Sequence, residues 1–282
     1  MMGSKPQVIS GYSCGQTELA ERVLLDVWSR LGVFHSHLVL VGGLAPRYLV
    51  PQAECEGKGI SRHCGTMDVD LAVSLAVADL RTYASIRKTL IGSLGFQPGQ
   101  NRLGNEQRHS FRKEVGDAVV ILDFLTTAYD GPVERVRAVE DSLSAIQVEG
   151  LGLALRAPLE IAVQGELLED GWVETELRVC RLIPFVVLKA LALKQRGERK
   201  DAYDLVYVIR YAAGGPAGVA GQLEEEERRS DAFQHAKEVL REKFQSPAHD
   251  GPVKCQRFQG ATGPEEANQA FAAVQEFLGA LR

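Results

Sequence analysis

Apolar residues recur at helical spacing near the start of the chain. Leu19, Val23, Leu24, Val27, Trp28 and Leu31 fall on one face, which predicts an amphipathic helix over 17–31. Thr17 can cap its start, and Gly32 is a stop. Leu38, Val39, Leu40 and Val41 then form a short apolar run before Gly42-Gly43, predicting a strand and a tight turn. Residues 44–50 predict a short helix limited by Pro51, and 52–65 a polar loop. A second strand is expected over 66–73, then a helix over 77–94 that Gly95 ends. The segment 97–105 reads as a turn, 106–113 as a polar strand, and Gly116-Asp117 as a turn. Residues 118–125 form a run in which Asp123 is the only polar residue, and this predicts a buried strand.

The pattern changes in the second half. Residues 143–180 read as short strands and turns. Pro184 suits the first turn of a helix through about 196, and a second helix is expected from Lys200 to Tyr211, ended by Gly214-Gly215-Pro216. Residues 216–222 read as a flexible loop and 223–244 as one charged helix whose run Glu224 to Glu227 is a solvated face. Residues 246–264 read as irregular, and 265–281 as a closing helix. The fold class expected is α+β: a mixed sheet with flanking helices, followed by a mostly helical part. The boundary is drawn at 142/143, so 1–142 form one domain and 143–282 a second, mostly helical one.

Length and composition exclude several classes. The chain has 282 residues, 45% hydrophobic and 24% charged, with a net charge of −5. That is a globular composition without the overall basicity of a nucleic-acid coat. No apolar stretch reaches the length of a membrane span, so no membrane partner and a cytoplasmic location are expected. Five scattered cysteines argue for reduced thiols, and the spacing of Cys55, His63 and Cys64 fits no zinc pattern. Trp172, Phe124 and Phe185 read as core, and His35, His37 and His109 as structural.

The chemistry is expected on the second strand. Alternate strand residues share a face, so Asp68 and Asp70 point one way while Val69 and Leu71 point the other. Two adjacent carboxylates repel unless a cation sits with them, and a hard divalent ion such as Mg2+ is the simplest one. Asp123 in its apolar strand needs compensation, either from an arginine or the backbone, or by joining Asp68 and Asp70 as a third metal ligand. Gly42 and Gly43 after a strand would let backbone approach phosphate. A second group lies at Lys189, Arg196, Lys200, Asp201 and Asp204. Lys189 and Arg196, seven apart, share a helical face, and apolar neighbours suggest that the Lys189 amine emerges in a cleft.

Gly42-Gly43, Thr66-x-Asp68-x-Asp70-Leu71 and Lys189-x6-Arg196-x3-Lys200-Asp201-x2-Asp204-Leu205 together resemble the AbiEii-type nucleotidyltransferases. These belong to the DNA polymerase β-like nucleotidyltransferase superfamily, and many are toxins of toxin–antitoxin or abortive-infection systems. The resemblance covers roughly 38–210. It implies that Gly42 and Gly43 turn against nucleotide phosphates, and that Thr66 supports the strand on which Asp68 and Asp70 hold magnesium. It implies further that Lys189 binds triphosphate, with Arg196 and Lys200 in the same binding role. Asp201 would act near the reacting groups or orient Lys189, and Asp204 would be secondary. An arginine often lies two residues before the threonine in this family; here Cys64 stands there, and Arg62 lies two residues earlier.

The implied reaction is magnesium-dependent transfer of a nucleoside monophosphate from a triphosphate to an acceptor hydroxyl, with release of pyrophosphate. The acceptor could be tRNA or protein, and a cognate antitoxin is an expected partner. Two other readings stay open: a nucleotide-binding module without turnover, paired with a partner, and a small-molecule transferase like those acting on aminoglycosides. A tRNA acceptor would need a basic face, for which Arg81, Arg87, Lys88, Arg108, Arg112 and Lys113 are candidates.

Overall fold

The computed structural model describes residues 6–50, 59–74, 86–101, 103–128, 136–138, 143–169 and 171–281. They fall into two compact units. The first comprises Cys14–Leu44 and Thr66–Cys180, and the second Met2–Ser13, Ala45–Gly65 and Arg181–Arg282.

The first unit is a mixed sheet with helix α1 (Cys14–Arg30) packed on it. Its strands are β1 (Leu38–Val41), β2 (Asp68–Val73), β3 (Gln97–Gln100), β4 (Glu106–Val115) and β5 (Ala118–Thr127). They are followed by β6 (Val136–Ala138), β7 (Ser144–Val148), β8 (Leu159–Glu166) and β9 (Trp172–Val179). The order across the sheet is β3-β4-β5-β2-β1-β9-β8, with β7 pairing the end of β5. β2 runs antiparallel to β1 and parallel to β5. The fold is thus α+β, as the alternation of periods predicts. Residues 143–180 pair into this same sheet, since β9 continues beside β1.

Alternation along the central strands sorts the core from the open face. Val69 and Leu71 of β2 are buried, as are Val120, Leu122 and Phe124 of β5. Asp68, Asp70, Ile121 and Asp123 take the alternate, half-buried positions. Val23, Leu24, Val27 and Trp28 of α1 are fully buried. The Trp28 indole N–H donates to Glu176 O at 2.9 Å, which satisfies the one polar atom of a buried ring.

The second unit is helical. It contains α2 (Leu182–Gln195), α3 (Arg199–Tyr211), α4 (Gly215–Ala220), α5 (Asp231–Lys243), α6 (Asp250–Phe258) and α7 (Glu265–Ala280). α3 packs on α2, α6 and α7 through buried Ala202, Leu205, Val206 and Ile209.

Several expectations need correction. The 97–105 turn contains β3, an edge strand made despite Pro98 and Gly99 by pairing with β4. The 216–222 loop is mostly α4, which Pro216 can open because a first-turn residue needs no amide donor. The irregular 246–264 contains α6. The charged helix is two pieces, a turn at Glu225–Arg228 and then α5, because Ser230 breaks in and caps α5 by accepting the Phe233 N–H at 3.2 Å. Nor is the acidic run wholly solvated. Glu227 is 2% exposed and pairs with Arg181, and Glu224 and Glu227 close a capping box. Thr17 lies one turn inside α1, which starts at Cys14. Trp172 is 60% exposed at the head of the β8–β9 hairpin, so it is not core. Cys55, Arg81 and the start of the 77–94 helix lie outside the described residues. Among the described residues no helix is long and apolar enough to cross a membrane.

Candidate functional site

The β-sheet unit brings the expected carboxylates to one face. Asp68 and Asp70 are alternate residues of β2, and the register sets Asp70 directly beside Asp123 of the parallel β5. Asp123 therefore lies among half-buried positions rather than in the packed face, and the burial problem posed by its apolar run falls away. The Thr66 hydroxyl accepts the Asp68 N–H at 3.2 Å, fixing the entry to the strand. Thr66 itself is 5% exposed.

Gly42 follows β1 with φ of +70°, a conformation that favours glycine. A Cβ built there would overlap the Asp70 carboxylate, lying 2.6 Å from its Cγ and 2.7 Å from its Cβ. Gly43 is buried in the same turn, Gly42–Leu44.

The donor chemistry decides what kind of cation this face suits. Among the described residues no three His, Cys, Asp or Glu side chains gather into a cage for a metal ion. The pair Asp68 and Asp70, with Asp70 held against backbone at Gly42, fits a different kind of ion. Magnesium is typically held by one or two carboxylates while water and phosphate oxygens complete its octahedron.

The helical unit builds the second group from α2, α3 and the segment before Thr66. The Lys189 amine does not emerge in a cleft: the residue is 6% exposed and its Nζ donates to Asp204 Oδ2 at 2.6 Å and Asp201 Oδ1 at 3.0 Å. Arg196 forks onto Asp201, Nε to Oδ2 at 2.7 Å and Nη2 to Oδ1 at 2.8 Å. Lys200 reaches Asp204 from one turn away, at 2.7 Å and 3.0 Å. Its amine also sits 5.5 Å from the centre of the Tyr12 ring. Arg196 is the outward member, its side chain 55% exposed.

Electrostatics follow from this burial. Desolvation would drive the Lys189 amine down, but Asp204 and Asp201 outweigh it and hold it above the usual lysine value. Burial opposes ionisation of Asp204, yet Lys189 and Lys200 hold its carboxyl well below the ordinary range. The same contest, with Lys189 and Arg196 as partners, leaves Asp201 lowered. Three cations thus face two carboxylates.

Two residues here carried little signal in the sequence. His63 is 2% exposed, and its Nε2 lies 3.0 Å from Asp204 Oδ1. Tyr203 takes the Cys64 N–H on its hydroxyl at 3.3 Å. A histidine ahead of the Asp68–Asp70 strand was visible, but its partner lies 141 residues away. Cys64, standing where the family often has arginine, has its thiol pushed up to about 12 by burial. Of the basic residues considered for an RNA face, Arg87 pairs with Glu106 at 2.8 Å and Lys113 donates to Leu94 O at 2.7 Å. Among the described cysteines, Cys14, Cys64, Cys180 and Cys255 form no disulfide.

The family model described as nucleotidyl transferase AbiEii toxin, type IV TA system, matches residues 29–277. No curated protein matches the chain. An antigenic nucleotidyltransferase-like protein from Paracoccidioides brasiliensis is similar at 14% identity and a TM-score of 0.44, over 88% of this chain and 94% of that one. The antibiotic-resistance factor ANT(2'')-Ia is similar at 11% identity and a TM-score of 0.32, over 94% and 96%.

Proposed function

The chain belongs to the nucleotidyl transferase AbiEii toxin family of type IV toxin–antitoxin systems, and from that premise we propose a magnesium-dependent enzyme that moves a nucleoside monophosphate from a triphosphate to an acceptor hydroxyl. The acceptor oxygen forms a bond to the α-phosphorus, the bond to the bridging oxygen breaks, and pyrophosphate leaves with that electron pair. The acceptor's proton is released.

The observation that carries the proposal is the placement of Asp68 and Asp70 on one open face, with Gly42 making room for the Asp70 carboxylate. Asp68 and Asp70 would hold the ion; Asp123 lies beside Asp70 in the register, but among the described residues it does not join them in a three-ligand cage. Bound there, magnesium would neutralise charge that develops on phosphate oxygens. Thr66 keeps the Asp68 backbone in place. Gly42 and Gly43 would present backbone to phosphate. Within the helical unit, Arg196 would offer its exposed guanidinium to phosphate, and Lys189 and Lys200 would add positive charge from behind it, held by Asp201 and Asp204.

A tRNA end or a protein hydroxyl is proposed as acceptor, with a cognate antitoxin as partner and the cytoplasm as the place of action. The test is transfer of label from each α-labelled nucleoside triphosphate, with magnesium and total tRNA or lysate as acceptor. Label on RNA or protein that disappears in Asp68→Ala/Asp70→Ala supports the proposal and names the acceptor class. Triphosphate binding with no transfer would leave a binding module in its place.

A further inference from the structure

His63 sits in the helical unit as a buried ring with every polar atom assigned. Its Nδ1 accepts the Gly65 N–H at 3.0 Å, so that nitrogen carries no proton. Nε2 must then carry it, and donates to Asp204 Oδ1 at 3.0 Å. The ring stacks on Tyr203 with centroids 5.1 Å apart and meets the edge of Tyr207 at 4.9 Å. These two tyrosines also grip the neighbouring backbone. Tyr203 accepts the Cys64 N–H, and the Tyr207 hydroxyl donates to Ser61 O at 3.0 Å. Ser61–Gly65 is thereby strapped along α3, and the next residue in the chain is Thr66.

The chemistry explains why a histidine serves here. Asp204 already receives Lys189 and Lys200. A third cation on it would add charge to a buried cluster in which cations outnumber carboxylates. A neutral imidazole supplies the further donor without that charge. Its planar ring also presents an acceptor to the Gly65 N–H and a donor to Asp204 from its two nitrogens.

We propose that His63 is a positioning residue for nucleotide binding: its Nε2–H orients Asp204, and through it the Lys189 and Lys200 amines, while its Nδ1 contact with Gly65 fastens the Ser61–Gly65 strap and serves stability alone. This rests on the triphosphate reading of the Lys189 cluster. His63 touches no reacting atom in this role.

The experiment uses the full chain with His63→Gln, His63→Asn and Tyr207→Phe. Glutamine reaches far enough to donate to Asp204. Asparagine is shorter and keeps only an acceptor for the Gly65 N–H. Tyr207→Phe loosens the strap and leaves the His63–Asp204 bond. Equilibrium dialysis with α-labelled triphosphate and magnesium should give a Kd about tenfold weaker for His63→Asn. His63→Gln and Tyr207→Phe should stay within about threefold of the parent, the latter losing thermal stability alone. Unchanged affinity in all three, with losses confined to melting temperature, would reduce His63 to packing and overturn the proposal. If the parent chain binds no triphosphate, the nucleotide reading fails, and 15N shifts decide on His63 separately. An Nε2–H tautomer, with Lys189 and Lys200 amine shifts moved by His63→Asn and not by His63→Gln, upholds the positioning role. An Nδ1–H tautomer in the parent overturns it, including where the asparagine variant does not fold.

Discussion

Gly42 and Asp70 share a space that holds only one side chain. The Asp70 carboxylate fills the volume a Cβ on residue 42 would need, and the backbone there has φ of +70°. Gly42→Ala must therefore either move Asp70 or bend the turn after β1. We expect stability to fall by about 1–3 kcal/mol, combining backbone strain with the overlap. We expect transfer to fall by at least about tenfold beyond that, because the displaced group is a proposed metal ligand. Urea unfolding and transfer kinetics on one preparation check both. Full activity in a stable alanine variant would show that Asp70 can shift without consequence.

Asp68→Asn and Asp70→Asn change charge and keep shape. Both positions are half-buried on the open face, so fold stability should stay within about 1 kcal/mol of the parent. Nucleotidyl transfer should drop by about 100-fold or more in each, and chelation by EDTA should abolish it in the parent until magnesium is restored. A variant that transfers at the parent rate would remove its residue from the metal site.

What was legible in the sequence was local. The Asp68–Asp70 pair needed only the two-residue period of a strand, β1 and β5 announced themselves as short apolar runs, and α2 and α3 were marked by Pro184 at the start of one and Gly214-Gly215-Pro216 at the end of the other. The neighbourhood of Asp123 was not local: its open face depends on register with Asp70, set by a pairing across 53 residues. The Lys189 amine was misjudged for a similar reason. Apolar flanks predicted burial of the stem correctly, but the amine's partners, Asp201 and Asp204, lie on the next helix and only packing of α3 on α2 brings them in. Helices α4 and α6 were missed because Gly and Pro weigh against helix in a window, while tertiary packing and a first-turn proline reverse that weight.

Lys189→Ala leaves Asp201 and Asp204 buried with one cation fewer. Breaking such a pair by removing a single partner costs about 3–5 kcal/mol. Here Arg196 remains on Asp201, and Lys200 and His63 on Asp204, so the lower end is expected. Adding Asp204→Asn removes one orphaned charge and should recover part of the loss, which makes the two changes non-additive. A urea double-mutant cycle reads this directly. Strict additivity would mean that Lys189 and Asp204 do not interact in solution.

The His63–Asp204 contact also sets a pH dependence with a defined sign. Burial lowers the His63 pKa from 6.5 to about 4, against the opposing pull of Asp204. The unfolded chain therefore takes up this proton first as the medium acidifies. Stability from the neutral ring is complete above about pH 6.5, is lost as pH falls toward 4, and changes no further below that. The gap corresponds to about 3 kcal/mol. Asp201 and Asp204 have lowered values, so their contribution is present above about pH 4 and is lost only below it, where the histidine window closes. His109 is also lowered by burial and adds to the parent slope. The quantity to measure is accordingly the difference between the parent and His63→Gln in urea unfolding at steps from pH 7.5 to 4. A steeper loss in the parent across that window is expected. Parallel curves would mean that the ring titrates alike in the folded and unfolded chains, which a buried donor to Asp204 should not do.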